Sequence, residues 1–575
     1  MLSQQGKSEP EKNGKGNFPK RKKPHVRGKI ADKILFIVPP SIEFEDFANP
    51  GGNTRTVQKQ HSNYGSALTD IPLGVLSLSA YVKKYAAAKT RLIDFNVVLN
   101  KIDVFEARSF LEFFRYILSL PQWMDYTPTI IGISALFSTS YQNMLDIAQC
   151  CCERFPNAVI VAGGAVPTNM YTNIFRDSLC LDALCYGEGE KPLLGLVKAD
   201  NKFQHLDESP TWITRKKVED GQLFQHDMIE DLDEIPPYDY ELCREADYRL
   251  NPTIACYPMA DSTKRHIQTM TSRGCPHHCC YCSAHTIHGR KVRYYSIQRV
   301  KNDLAQLKKE GIEMIIFQDD HFLFNRKRTF EILDTMVSLG LTAFWPNALT
   351  LYALDHKMLN AMKRAGMKQL VMAIESGSSR VLREIMHKPI NLSIIKRVSD
   401  DCRELGIFTD ASIIIGLPGE TKQDIEDARS FLKTLDVNWF RFYAAVPLAG
   451  SEMFQICQEK GYLPREYTSC NFKKASISTE HFSAEYIQKM IYVLNLDFNF
   501  AHNSDFRLGN YEMALNGFKN AIRAKNDHAI AYYYAAKCYE KLGNKKKARQ
   551  YINSAKMNAE KPFWREYIDM FNIPL

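Results

Sequence analysis

Three cysteines, Cys275, Cys279 and Cys282, stand at CxxxCxxC spacing in the run Ser272-Arg273-Gly274-Cys275-Pro276-His277-His278-Cys279-Cys280-Tyr281-Cys282. Nothing else in the chain limits its chemistry as sharply. Three thiolates on one short loop can each take one iron of a four-iron, four-sulfur cluster, which leaves the fourth iron open to a substrate or cofactor. The alternative is a structural zinc site. Zinc takes four ligands, usually from CxxC pairs, and no second pair lies nearby, although His277, His278 or Cys280 would supply a fourth ligand. Because neighbouring side chains alternate in direction on a short turn, Cys280 is expected to point away from its companions. The N-terminus is polar and basic with no apolar h-region, so the chain is expected not to be secreted and its 15 cysteines read as thiols and metal ligands more than disulfides. Cys150, Cys151 and Cys152 fall on a predicted helix, where adjacent side chains fan ~100° apart and serve packing.

The Cys loop follows the first strand of a long β/α series. At 575 residues the chain has room for about three to four domains, and its 45% hydrophobic and 24% charged residues are those of a globular protein. After a basic tail over residues 1–30, five β-rich runs alternate with helix-length stretches across 31–200: Ile34 to Val38, Arg91 to Phe95, Thr129 to Ser134, Ala158 to Gly164 and Ala183 to Glu190. This alternation predicts a doubly wound parallel sheet, which binds ligands at the carboxyl ends of its strands. Ser134, Gly163, Gly164, Gly187 and Glu188 occupy such ends, and glycine there allows close backbone approach.

A proline-punctuated connector is expected over 201–264. Six further strand-helix units follow over 265–450: His266 to Gly274, Glu313 to Asp320, Leu341 to Leu349, Gln369 to Gly377, Asp410 to Gly419 and Trp439 to Gly450. They predict a complete or partial β/α barrel with its chemistry at the strand C-termini. Residues 451–495 read as an extension of the barrel. In 496–575, Gly509-Asn510-Tyr511-Glu512-Met513-Ala514 returns as Gly543-Asn544-Lys545-Lys546-Lys547-Ala548, a shift of 34, which is the tetratricopeptide period. Fewer than the ~3 repeats usual for independent stability fit, so these helices are expected to lean on the barrel or on a partner protein.

Residues 1–29 contain nine basic side chains against two acidic ones, so this tail carries +7 of the net +9. The remainder is near neutral, which argues against a nucleic-acid groove across the folded part. No stretch approaches the ~18 apolar residues of a membrane span, and the chain is expected to be cytoplasmic.

The Cys loop, with aromatic Tyr281 before its last cysteine, resembles the cluster motif of the radical S-adenosylmethionine superfamily. That resemblance implies that Asp319 and Asp320, ending the second barrel strand, receive the amine of S-adenosylmethionine. It implies further that Glu375-Ser376-Gly377 contacts its ribose and that Ile415-Gly416-Leu417-Pro418-Gly419-Glu420 lies near its adenine. The N-terminal module has Pro39-Pro40, Ile71-Pro72-Leu73-Gly74, Ile93-Asp94, Gly132-Ile133-Ser134, Gly163-Gly164 and Gly187-Glu188-Gly189-Glu190. In these it resembles the cobalamin-binding domain fused before such barrels, as does Asp231-Leu232-Asp233-Glu234-Ile235-Pro236 in the connector. The DxHxxG motif that supplies a lower histidine to cobalt in cobalamin mutases is absent from the sequence.

The resemblance implies a cluster that cleaves S-adenosylmethionine to a 5'-deoxyadenosyl radical and a methylcobalamin that delivers a methyl group to an unactivated carbon. Such a carbon offers no acidic proton, so the cofactors carry the difficult chemistry. It also implies a small-molecule or carrier-bound substrate and an electron donor such as a flavodoxin or ferredoxin. Two alternatives stand beside this reading: a radical cyclase, rearrangement or carbon-carbon coupling enzyme of the same architecture, and a non-catalytic iron-sulfur or cobalamin sensor.

Overall fold

The structure, a computed structural model, describes residues 32–51, 55–60, 62–464, 467–472 and 474–575. The basic tail expected over 1–30 lies outside the described residues. The first sheet comprises β1 (Lys33–Val38), β2 (Lys89–Asp94), β3 (Ile130–Ser134), β4 (Val159–Gly163), β5 (Ala183–Cys185) and β6 (Trp212–Ile213), in the order β2-β1-β3-β4-β5-β6. The first five are parallel and β6 joins antiparallel to β5. Ile34 to Ile37 are all buried because alternate residues feed two cores. Ile34 and Phe36 pack with Val75, Val82, Leu193 and Leu196, while Leu35 and Ile37 pack with Phe113, Phe114, Met144 and Ile147. A sheet covered on both faces needs such continuous apolar strands. Cys150 and Cys151 are buried in the second of these cores.

One boundary of the connector needs correction. Residues 201–213 belong to the first sheet, through the helix Lys202–Glu208 and strand β6. Two residues of strand are too short to show a period in sequence.

The barrel strands are β7 (His266–Thr269), β8 (Met314–Phe317), β9 (Thr342–Phe344), β10 (Gln369–Glu375), β11 (Phe408–Ile415) and β12 (Trp439–Ala444). They form two parallel three-stranded sheets, β9-β8-β7 and β10-β11-β12. A single bridge between Leu349 and Met372 joins the halves, giving a partial barrel. Between the strands and the surrounding helices lies an apolar core, with Ile315, Phe317, Met372, Ile413 and Phe440 all buried. The long helix that follows each of β7 to β11 starts on a side chain that accepts from a first-turn amide, in turn Ser296, Asn325, Asp355, Asn391 and Thr421. Each such cap is worth about 1 kcal/mol. Together they set where strand-end loops give way to helix.

At the C-terminus the helix Ala484–Leu496 continues without a break into a wider turn at Asp497–Ala501, so the boundary expected at 496 falls inside one helix. The apolar run through Phe498 and Phe500 contains no breaker, and both side chains are buried. The helices Tyr511–Ala524 and Lys545–Ala559 begin 34 residues apart, each after a left-handed glycine, Gly509 and Gly543. They rest on the barrel where Gly517 faces Trp439 of β12, at a distance that leaves no room for a β-carbon. No helix among the described residues is long and apolar enough to cross a membrane.

Candidate active site

The loop carrying Cys275, Cys279 and Cys282 is framed by a two-stranded antiparallel ribbon, Ser272–Arg273 with Arg293–Tyr294. Gly274 turns the chain at φ +95°, and a β-carbon there would lie 2.3 Å from the Lys291 carbonyl oxygen. Only glycine serves at this position. The Cys282 amide donates to the Cys279 carbonyl at 3.0 Å, closing a turn. Cys280 is buried in the barrel core, where its amide donates to Met386 and its carbonyl accepts from Met453. Its three companions are half-buried. Burial pushes the Cys275 thiol up to about 11 and also raises Cys279 and Cys282; Cys279 and Cys282 add to the rise at Cys275, and Cys279 to that at Cys282. A bound metal reverses that preference, since a coordinating thiol is deprotonated.

Three soft sulfur donors on one loop suit an iron-sulfur cluster. The residues that would complete a zinc site are committed elsewhere. Cys280 faces the core, His278 is exposed, and His277 Nε2 lies 3.1 Å from His321 Nε2 and 3.2 Å from the Tyr352 hydroxyl. Among the described residues, no three His, Cys, Asp or Glu side chains converge on one metal ion, as a zinc site would require, whereas in a four-iron cluster each thiolate takes a different iron.

The strand-end residues gather around this loop, several of them as braces. Asp319, buried after β8, accepts through Oδ1 from the Thr271 amide (3.0 Å), the Thr271 hydroxyl (2.7 Å) and the Ser272 hydroxyl (2.6 Å). Burial raises its pKa, and Oδ2 is buried without a hydrogen bond. Asp320 Oδ2 accepts from the Gly274 amide at 2.8 Å and pairs with His288 Nδ1 at 2.7 Å. Burial works against this carboxylate, but His288 and the Gly274 amide together hold it below its usual range. Both acids therefore tie β8 to the Cys loop, and Asp319 Oδ2 is a buried acceptor still available to a ligand's amine.

Glu375 ends β10 at a register shift with φ +65°, a strained conformation for a glutamate. Its Oε1 meets the Tyr281 hydroxyl at 3.3 Å and Lys388 Nζ at 3.1 Å, which links it to the Cys loop. Ser376, also buried, accepts from the Ser378 amide. After β11, Gly416 at φ +90° and Leu417 donate their amides to Glu420 Oε2 at 2.6 and 3.1 Å. Burial pushes Glu420 up to about 8, and its Oε1 is buried without a partner.

On the first sheet, Ser134 and Gly163 are register partners at the ends of β3 and β4. Gly164 follows at φ +105°, its α-carbon so close to the Ala135 carbonyl that a β-carbon would lie 2.5 Å from that oxygen. Leu136 and Phe137, just beyond β3, are 54% and 59% exposed. An open apolar shelf at the end of β3, beside a glycine pair at the end of β4 and next to the switch from β1 to β3, suits a large flat macrocycle, so the cobalamin expectation fits these residues.

Gly187 and Glu188 are placed differently. Gly187 is covered by His226, whose Nδ1 lies 2.2 Å from where a β-carbon would stand. Glu188 turns toward the barrel, accepting from Arg293 at 2.5 and 3.0 Å and lying 3.5 Å from Arg273. Glu190 accepts from Arg273 at 2.7 Å and from the Ser77 hydroxyl at 2.5 Å. Burial alone would raise Glu190, but the Arg273 charge and these hydrogen bonds outweigh it and hold the carboxyl below its usual range. Glu190, Arg273, Arg293 and Ser77 form a set that sequence reasoning missed. The first two lay inside quoted motifs, and nothing in the sequence paired them.

Residues 269–432 match the Radical SAM superfamily and residues 71–197 the B12 binding domain. An uncharacterized methyltransferase of Pyrococcus horikoshii is 30% identical over 374 residues, covering 64% of this chain and 77% of the relative. The cytidylyl-2-hydroxyethylphosphonate methyltransferase of Streptomyces wedmorensis is 28% identical over 425 residues, covering 68% and 79%. The radical S-adenosylmethionine methyltransferase TsrM of Kitasatospora setae, solved with cobalamin and a [4Fe-4S] cluster, has the same fold at TM-score 0.56. It is 13% identical, with 92% of this chain and all of that one covered.

Proposed function

Because the chain belongs to the radical S-adenosylmethionine enzymes that carry a B12 binding domain, with a 4Fe-4S cluster, S-adenosylmethionine and cobalamin as cofactors, we propose that it methylates an unactivated carbon of a small-molecule or carrier-bound substrate. The observation that carries this reading is the junction of two strand-end surfaces. The sheet end with Ser134, Gly163 and Gly164 and the barrel end with Cys275, Cys279 and Cys282 belong to modules clamped together through Glu188, Glu190, Arg273 and Arg293. When bound, the cluster and S-adenosylmethionine supply a carbon radical, and cobalamin supplies a transferable methyl group.

The residues then divide the remaining work. Cys275, Cys279 and Cys282 hold the cluster, and Asp319 Oδ2 accepts from the amine of S-adenosylmethionine. Glu375, Ser376 and Gly416 line its nucleoside side, and Glu420 keeps the Gly416-Leu417 turn in shape. Ser134, Gly163 and Gly164 let the corrin approach the backbone. A bound cluster would take its electron from a donor such as a flavodoxin or ferredoxin.

Anaerobic reconstitution with iron, sulfide and hydroxocobalamin tests the assignment. About four irons and one cobalt per chain are expected, with reductive cleavage of S-adenosylmethionine. Retained iron without cobalt would overturn the methyltransferase reading in favour of ring closure or coupling. Absence of any cluster would overturn the radical assignment altogether.

A further inference from the structure

Four charged side chains, two from the first sheet and two from the ribbon that frames the Cys loop, meet where no solvent reaches. Glu188, Glu190, Arg273 and Arg293 are each 4% exposed or less. Arg293 grips Glu188 with both terminal nitrogens and donates also to the carbonyls of Ile229 and His288. Arg273 reaches Glu190 at 2.7 Å and Ser77 at 3.2 Å. Ser77 in turn lies on the helix Leu73–Ala86, which covers one face of the sheet. The set is electrically balanced and joins the sheet, the connector and the barrel.

We infer that this lattice is a positioning device that fixes the cluster loop against the strand ends of the first sheet, so that cobalamin and the cluster keep one separation. The inference rests on the cofactor reading proposed above. Three features carry it. Arg273 is two residues before Cys275, and the intervening Gly274 is held by Asp320, so a displacement of Arg273 is passed directly to the loop. Arg293 uses a two-pronged contact, which fixes orientation as well as distance, where a lysine would fix distance alone. Apolar side chains of similar volume would stabilise such an interface as well or better, so a buried charge lattice at this place adds directional restraint more than strength.

The test uses the reconstituted holoenzyme and the variants Arg293→Lys, Glu190→Gln and Ser77→Ala. The last loosens Glu190 and Arg273 without leaving a charge unpaired. Iron content, cobalt content and the thermal midpoint report whether each variant is folded and loaded. Electron paramagnetic resonance of the cob(II)alamin form, recorded with the cluster oxidised and then reduced, reports the separation, because a nearby reduced cluster broadens the cobalt signal. Wild-type protein is expected to show one uniformly broadened species. The loaded variants are expected to show a second, less broadened population, smallest in Ser77→Ala. Variants that retain iron and cobalt with the wild-type line shape would overturn the positioning role while leaving the cofactor reading intact. Wild-type protein that retains no cobalt would overturn both.

Discussion

The barrel has two neighbours, and it holds them by different means. Against the first sheet it places four fully buried charges, with arginine on the barrel side and glutamate on the sheet side. Against the C-terminal helices it also uses ion pairs, but there the carboxylates are buried and the cations half-open. Asp497 takes Arg429 at 2.5 Å, and Asp505 takes Arg403 at 2.8 Å, with both arginine side chains about a quarter exposed. Beside them lie the apolar contacts of Trp439, Phe500 and Phe518 and the Asn499 side chain, which accepts from the Phe440 amide and donates to the Phe440 carbonyl. The buried lattice has no water to fall back on if one member is lost. The helical contact keeps alternative partners, since Asp505 also accepts from Asn438 at 3.0 and 2.8 Å. The interface beside the chemistry is therefore the less forgiving of the two.

The largest expected effect follows from that asymmetry. Glu190→Ala leaves Arg273 buried with its main partner gone, and should cost about 3–5 kcal/mol of stability. Arg403→Ala leaves Asp505 with its Asn438 bonds and should cost about 2 kcal/mol. Chemical denaturation of both variants, followed by tryptophan fluorescence, measures the difference. Equal losses would mean that the two interfaces do not differ in kind.

Acid sharpens the same contrast. Arg273 and the hydrogen bonds to Glu190 hold its carboxyl below the ordinary value of 4.5. A depressed carboxylate contributes stability that is fully present above 4.5 and is lost as pH falls below it. Glu190→Gln removes this contribution, so its stability should fall less steeply than wild type across that window. Parallel acid limbs for the two proteins would show that Glu190 does not carry the titration.

The parts of the fold visible in sequence were those with a local signature. The β/α alternation, the Cys loop and the glycines at strand ends each declare themselves within a few residues, and the structure places Cys280 in the core as alternation on a tight turn requires. The inter-module lattice had no such signature, because Glu190 and Arg273 are 83 residues apart and Glu188 and Arg293 are 105 apart. Pairing at that distance leaves no period to read. The roles of Asp319 and Asp320 were legible as to place, but their chief partners, the Thr271, Ser272 and Gly274 groups on the neighbouring loop, appear only once β7 and β8 lie side by side. The helix Ala484–Leu496 runs on into Asp497–Ala501 through an apolar stretch without a breaker, so the 34-residue repeat that follows does not mark where the helix ends.

The smallest effect is expected at a third kind of buried charge, one with no cation in its hydrogen-bond set. Glu420 meets only the amides of Gly416 and Leu417, and burial pushes it up to about 8. The folded protein therefore holds a proton on Glu420 across a range in which the unfolded chain, at about 4.5, has released it. The sign follows directly: this group's stability is fully present below 4.5 and declines as pH rises toward 8. Glutamine has the same shape, offers one carbonyl oxygen to the two amides and never ionises. Glu420→Gln should therefore lie within about 0.5 kcal/mol of wild type near pH 6 and become the more stable of the two above pH 8. Thermal melts of both proteins at pH 6 and pH 9 decide the matter. If the glutamine variant were the weaker at both, Glu420 would have to be ionised in the folded protein and would belong with the charged clamps instead of apart from them.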